Sequence, residues 1–357
     1  MIRFDYSILR CPVTQESLQL LSREDTILIM RNYDREFLKI ENITAGFTNI
    51  SASYFYPVFE DVVLLLPVYA LFIGEGNDLR GKMVFDKQRV FEYYNQISYN
   101  TKSDLKIYED SAKWVDFREV TGEYIRKSFT RAGQYLNTNG KYILDIASGP
   151  IGLKEYVDLS DNFQIRICAD ISVNALVQAK YNYRHRPGIF ICADITNIPL
   201  QNDICDSVLC QHTLYHVPRN EQKTAVNEMY RVAKPGSAIV IVYSLFYHSW
   251  FMNVTLLPVQ IYRITRHLAG KLYVRLLTSK PRLYFYPHSL RWFKTNFSFS
   301  DKIQFYCWRS ANKYFLNLYI HKWLAGKKVL RALMKSEDKH PVFWAKFGEY
   351  PLICIRK

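Results

Sequence analysis

The sequence predicts an α/β protein: an open, doubly wound parallel sheet with a small β-rich unit in front of it. Three observations carry this. From Lys141 onward, short apolar runs at 142–146, 164–169, 188–193, 205–210 and 238–243 alternate with helical stretches, notably 173–183 and 220–233. Strands joined through helices pair in parallel, and a parallel sheet needs cover on both faces. After the alternation stops, two more strand-like runs follow at 302–308 and 350–356, making seven. Ahead of all this, residues 1–67 hold β-prone runs at 18–21, 26–30, 37–40, 54–58 and 62–66, with few helical signals between them.

Taken in order, the elements divide the chain. Three glycines among polar residues in 74–81 mark a linker. Helices are expected at 86–99 and 114–136; in the second, Val115, Val120, Tyr124, Ile125, Phe129 and Tyr135 form a stripe that packs on a sheet. Within 220–233, Ala225, Val226, Met229, Val232 and Ala233 share one face, and Gly236 is the stop signal. The expected organisation is a small domain at 1–67, a linker with N-terminal helices at 68–140, and a main domain at 141–357. Basic, aromatic insertions interrupt the main domain at 245–300 and 309–349.

Length and composition narrow the classes. At 357 residues the chain exceeds one typical domain of roughly 100–200 residues. Its 49% apolar and 22% charged content is that of a folded protein, not a disordered or collagen-like one. The seven cysteines form no CxxC pair and sit in apolar runs, so they read as buried free thiols of a reducing, cytoplasmic compartment. The first residues have no apolar core typical of a signal peptide. The longest uncharged apolar stretch, 62–73, falls short of the roughly 20 residues that span a bilayer. A soluble protein, or one lying on the inner face of a membrane, is expected. The charge is lopsided: residues 1–244 hold 27 basic and 29 acidic side chains, while 245–357 hold 20 and 4. The positive field of the last third favours an anionic partner: nucleic acid, a phospholipid surface or an acidic substrate.

The informative stretch is 142–152, Tyr-Ile-Leu-Asp-Ile-Ala-Ser-Gly-Pro-Ile-Gly. Ligands of open α/β sheets bind at the carboxyl ends of strands. A turn of small residues there (Ala147, Ser148, Gly149, Gly152) admits a ligand close to the backbone. Asp145, just before the turn, would repel a pyrophosphate and favour a cationic ligand; otherwise it caps the next helix. Asp170 ends the second strand, where a carboxylate accepts hydrogen bonds from ribose hydroxyls.

In these residues the sequence resembles the class I S-adenosylmethionine-dependent methyltransferases, in particular the small-molecule and quinone-type group. The resemblance covers about 141–244. It rests on the 145–152 turn, Asp170, Ala193-Asp194-Ile195, the Cys205-Asp206-Ser-Val-Leu strand and Arg231-Val-Ala-Lys-Pro-Gly236; Ile151 stands where the family often has a third glycine. It implies a seven-stranded Rossmann-like sheet closed by an antiparallel pair, and S-adenosyl-L-methionine as cofactor. By the same resemblance, the turn would cradle the methionine part, and Asp170 with Ile171 the ribose. Asp194 and Ile195 would flank the adenine, and Gln211-His212 would face the sulfonium. Asp194 reads equally as a solvated loop charge, and Asp206 as a structural residue.

Methyl transfer is a displacement in which the protein positions the acceptor and excludes water. Where the acceptor must lose a proton, His212, Tyr215 and His216 follow the fourth strand at the right edge of the sheet; otherwise they line the pocket.

At the N-terminus, Leu9-Arg-Cys11-Pro12-Val-Thr14, Tyr56-Pro57-Val58 and 62–67 resemble the Trm112-like small domain, often zinc-binding and partnered with methyltransferases. A tetrahedral zinc site wants four Cys/His ligands. Thr14 stands where a second cysteine would be, so a metal-free unit packed on the catalytic domain is expected. In the basic third, Arg263, His267, Lys271 and Arg275 recur every four residues beside Ile261, Ile264, Leu268, Leu272 and Leu276. This is either an amphipathic element for an anionic membrane interface or a lid helix with a solvated basic face. A helix near Pro287 and its aromatic neighbours would shape the acceptor pocket. Three readings compete: methyl transfer to a small or lipid-linked acceptor, preferred; methyl transfer to RNA; and a non-catalytic cofactor-binding scaffold. The absent cysteines, and the absence of an Asn-Pro-Pro-Tyr run, count against RNA.

Overall fold

The computed structural model describes residues 5–31, 40–81, 83–96, 101–102, 107–108, 114–258, 261 and 283–357. Strands are β1 (Leu18–Leu20), β2 (Ile43–Asn49), β3 (Tyr54–Phe59), β4 (Val62–Leu64), β5 (Leu71–Phe72), β6 (Thr101–Lys102), β7 (Ile107–Tyr108), β8 (Gly140–Ile146), β9 (Phe163–Asp170), β10 (Gly188–Cys192), β11 (Cys205–Gln211), β12 (Ala233–Val242), β13 (Ile303–Arg309) and β14 (Tyr350–Arg356). Helices used below are α1 (Arg23–Met30), α2 (Phe85–Gln96), α3 (Gly122–Arg131), α4 (Lys154–Asp158), α5 (Val173–Asn182), α6 (Gln222–Val232), α7 (Trp250–Thr255), α8 (Leu290–Thr295), α9 (Lys313–Tyr319), α10 (Gly326–Lys339) and α11 (Pro341–Phe347).

The seven expected strands form the order β10-β9-β8-β11-β12-β14-β13. Strands β8 to β12 pair in parallel, and β14 is antiparallel to both β12 and β13. This is the open, doubly wound, Rossmann-like arrangement with a closing antiparallel pair that the resemblance implies. Because side chains alternate along a strand, each strand feeds two cores. Tyr142, Leu144, Ile146, Val208, Cys210, Ile239 and Ile241 pack on one face, with Ala225, Val226 and Met229 of α6. Ile143, Leu209, Val240 and Val242 pack on the other, with Tyr124, Ile125 and Phe129 of α3. All seven cysteines are free and buried in this packing.

The sheet runs on beyond β10. There β4 pairs in parallel with β10, and β3, β2 and β1 continue antiparallel, so the N-terminal strands extend the same sheet. Residues 26–30, expected as a strand, are the end of helix α1. Ser22 accepts the Asp25 N–H as N-cap, and Glu24 and Asp25 occupy the first turn. Cap and dipole outweigh the β preference of Thr-Ile-Leu-Ile. The expected run at 37–40 lies almost wholly outside the described residues, while β2 is an addition. The helix expected at 114–136 is shorter. Asp116 is buried and holds Arg118, whose guanidinium bonds the Leu316 and Ile320 carbonyls, and this fixes a turn before α3. The basic repeat Arg263, His267, Lys271 and Arg275 lies outside the described residues. The second insertion is helical, as expected: α9, α10 and α11. Among the described residues no helix is long and apolar enough to cross a membrane.

Candidate active site

The carboxyl ends of β8, β9, β11, β12 and β13 surround a cavity of about 330 Å³, in the range of small-molecule sites. Its lining includes Asp145, Ala147, Ser148, Gly149, Asp170, Ile171, Gln211, His212, Tyr215 and His216. A smaller adjoining cavity of about 50 Å³ shares Ala147, Asp170, Ile171 and His216 and adds Asp194 and Ile195. Twelve of the thirteen residues singled out in the sequence therefore meet here. Gly152 does not: it is exposed and lines neither cavity. Ile151 before it turns inward to pack on Cys168 and Leu176.

The turn after β8 is backbone-led. Ala147, Gly149 and Ile151 have φ of 58°, 57° and 48°, a conformation that costs a side-chain-bearing residue roughly 1–2 kcal/mol. Such strain gathers at ligand sites. Asp170 is 5% exposed. Its two oxygens accept the Gly149 and Ser172 N–H groups, each at 2.9 Å, tying the end of β9 to the turn. Burial outweighs these bonds and pushes its carboxyl up to about 6.

Asp145 has a partner the sequence reading missed. Arg166 of β9 is buried and pairs with Asp145 through Nη2, while its Nη1 donates to the Tyr156 carbonyl at 2.6 Å. Asp145 thus meets the cavity as half of an ion pair, not as a lone negative charge. An arginine amid Gln-Ile-Arg-Ile-Cys, a run otherwise fit for a buried strand, was the available signal, since a buried cation requires a counter-ion. Asp194 is likewise engaged. Lys87 of α2 reaches it at 2.7 Å, and also Thr196 Oγ1 at 3.0 Å and Glu221 at 2.7 Å, bringing α2 over the smaller cavity. Asp206 lies elsewhere, accepting the Lys141 and Tyr142 N–H groups and pairing with Lys234.

Beyond β11 the three candidate bases differ. His212 has φ 57°, and its ring stands edge-on to Trp308 at 4.6 Å and Tyr350 at 5.4 Å. Burial, with Arg309 adding to it, pushes His212 down to about 3, so it is neutral at physiological pH. His216 has its Nδ1 2.7 Å from the Tyr284 carbonyl oxygen. A carbonyl only accepts, so Nδ1 carries the proton and Nε2 the lone pair. Tyr215 packs edge-on against Phe285 and Tyr243. Further wall residues, Trp308, Arg309, Glu349 and Tyr350, come from the two late strands and their ends, expected as strands but not as part of the site. Glu349 accepts the Ser244 hydroxyl at 2.8 Å, and burial pushes it up to about 7.

Comparison with known proteins agrees with this geometry. The methyltransferase-domain family model matches residues 144–241. A demethylmenaquinone methyltransferase of Renibacterium salmoninarum is 36% identical over 131 residues, covering 34% of this chain and 52% of that protein. That of Paenarthrobacter aurescens is 35% identical over 104 residues, covering 29% and 38%. The chain spans about half the length, or less, of these curated relatives. Among solved structures, a SAM-dependent methyltransferase from Archaeoglobus fulgidus aligns over 66% of this chain and 94% of its own, with 15% identity and a TM-score of 0.41. The segment from β8 to β12, which carries the turn, Asp170, Asp194 and the Gln211–His216 stretch, therefore matches the methyltransferase-domain family.

Proposed function

We propose that this protein is an S-adenosylmethionine-dependent methyltransferase acting on a small or lipid-linked acceptor of quinone type. The observation that carries it is Asp170: a buried carboxylate at the end of β9, bonded to the turn and facing both cavities. The cofactor fits the groups present. The turn would hold its methionine part, with Gln211 Oε1, buried and without a partner among the described residues, as an acceptor for its ammonium. Asp170 would take the ribose hydroxyls, and the apolar slot of Ile171, Ile195 and Val90 the adenine. When bound, the sulfonium supplies an electrophilic methyl group. The chain's own residues do the rest. Aromatic walls from Tyr215, Phe285, Trp308 and Tyr350 exclude water and orient the acceptor. His216 Nε2 takes the acceptor's proton where one must leave.

The two named relatives and the aromatic wall support this acceptor class. A lipid-linked acceptor also suits the surface beside the cavity. Tyr247 and Trp250 are 69% and 63% exposed, next to cavity-lining Phe246. Trp250 approaches Phe347 of α11, whose Val342 and Phe343 are also exposed. With Lys346 alongside, this apolar patch would rest on an anionic membrane. At the other end of the sheet we read the N-terminal strands as a metal-free Trm112-like unit. The buried Cys11 Sγ lies 3.1 Å from the Tyr56 hydroxyl and accepts the Thr14 N–H at 3.3 Å. One equivalent of zinc in the purified protein would overturn this last point.

The test of function is calorimetry with S-adenosylhomocysteine on the wild type and on D170A. Micromolar binding by the first and its loss in the second is expected. A wild type that binds nothing would overturn the proposal.

A further inference from the structure

One wall of the cavity carries a buried guanidinium that no salt bridge among the described residues neutralises. Three arginines are buried among the described residues: Arg131, Arg166 and Arg309. Arg131 meets Glu337 at 2.6 Å, and Arg166 meets Asp145. Arg309, last residue of β13 and 3% exposed, has no ion-pair partner among the described residues, and its Nε and Nη1 are buried without a hydrogen-bond partner there. Its Cζ lies 4.8 Å from the ring centroids of both Trp308 and Tyr350, which hold the guanidinium in place and shed water. All three residues line the larger cavity.

A guanidinium stays protonated at any physiological pH, and a buried cation without a counter-ion is strongly unfavourable. Glu349 answers it only in part: no salt bridge joins the two, its carboxyl accepts the Ser244 hydroxyl at 2.8 Å, and burial outweighs the pull of Arg309 and holds the carboxyl up at about 7. The turn follows β8 and Asp170 ends β9 while Arg309 ends β13, yet its charge reaches Tyr156 and His212, so the cofactor is the rival claimant that the test must separate. Trp308 Nε1, likewise buried without a partner among the described residues, offers a further donor on the same wall.

We infer that Arg309 receives an anionic oxygen of the methyl acceptor, a carboxylate, phosphate or phenolate, on an aromatic framework held between Trp308, Tyr350 and Phe285. This rests on the cavity being a methyltransferase site. A planar fork of N–H donors suits such oxygens better than any neutral group.

The test uses full-length protein saturated with S-adenosylhomocysteine and titrated calorimetrically. The anions 2-naphthoate, 2-naphthyl phosphate and 4-nitrophenolate are compared with the neutral 2-naphthamide and 4-nitroanisole; which anion wins identifies the group. At least one anion should bind about tenfold or more tightly than its neutral counterpart. R309Q should abolish that preference, R309K should keep part of it, and the affinity of R309Q for S-adenosylhomocysteine should stay within about twofold of wild type. No anion preference in the wild type would overturn the inference. So would loss of S-adenosylhomocysteine binding in R309Q, which would give the guanidinium to the cofactor. Should R309Q fail to fold, the wild-type comparison and R309K decide. If the wild type binds no S-adenosylhomocysteine, the proposed function fails by itself, and the same anion-against-neutral comparison on ligand-free protein decides Arg309.

Discussion

Replacing Asp170 by asparagine separates the cost of the site from its use. In the ligand-free protein burial raises this carboxyl from 3.8 to about 6, so the folded state holds the proton more tightly than the unfolded chain. The stability this group contributes is therefore fully present below about 4 and is lost as pH rises through about 6. The slope is about 1.4 kcal/mol per pH unit between those values. From about pH 4.5 to about pH 7.5 the wild type should lose about 2 kcal/mol relative to D170N. The variant also carries a constant penalty. An amide can accept only one of the Gly149 and Ser172 N–H groups and sets its own NH₂ against the other, which costs about 1–3 kcal/mol. The pH-dependence of the difference, not its absolute value, is thus the readout, taken from urea unfolding of both proteins across this range. A difference flat to within about 0.5 kcal/mol would refute the reasoning. The converse holds for ligand. Ribose hydroxyls donate to the ionised carboxylate, so S-adenosylhomocysteine affinity should rise about tenfold between about pH 5 and about pH 7 in the wild type and stay level in D170N.

Other expectations follow from the same geometry. Glu337→Ala strips Arg131 of its fully buried counter-ion, leaving only the half-exposed Asp338, and leaves the Tyr124 hydroxyl and the Ser310 N–H without their acceptor; it should cost about 3 kcal/mol in urea unfolding. Asp338→Ala, at the half-exposed neighbour that also meets Arg131 and Lys127, should cost about 1 kcal/mol or less. His212, pushed down to about 3 by burial, should show no imidazole titration by NMR between about pH 5 and about pH 8; a midpoint in that range would return it to the list of bases. The double substitution of Trp250 and Phe343 by serine should weaken flotation with phosphatidylglycerol vesicles about tenfold while sparing S-adenosylhomocysteine binding.

Much of the central domain was legible because its signals are local. Each strand from β8 to β12 is a short apolar run, and α5 follows its Ser172 cap closely; α6 follows its stripe but ends at Val232, so that Gly236, expected as its stop, lies inside β12. The N-terminal unit was less so. In β2, Thr44, Gly46 and Thr48 dilute the apolar pattern, and α1 was hidden because Ser22 and Asp25 act through capping, not through hydrophobic period. What no local pattern could supply is pairing across the sheet. That Asp145 is answered by Arg166, and Asp194 by Lys87, depends on β8 lying beside β9 and on α2 returning over β10. The late wall was missed for the same reason. Arg309 and Glu349 look like ordinary strand-end charges until β13 and β14 are placed at the cavity.

Charge across the cavity then follows from which acids and bases are paired. Asp145 with Arg166 is neutral as a unit. Asp170 on β9 and Arg309 on β13, five strands apart in the order β9-β8-β11-β12-β14-β13, lack such an ion pair among the described residues, as does Glu349 close to Arg309. At about 4.8 Å per strand their backbones stand roughly 24 Å apart, with both side chains directed into one cavity. An anionic end and a cationic end in the same water-poor enclosure give it a polarity. On the proposed function a cationic nucleoside would settle toward Asp170, and an anionic acceptor toward Arg309. Swapping the two would place like charges together. The two bound molecules would then meet between these ends, beside Gln211, His212 and His216. A basic patch serving RNA would need many exposed cations along a groove; a single guanidinium buried between two aromatic rings is built for one small anion.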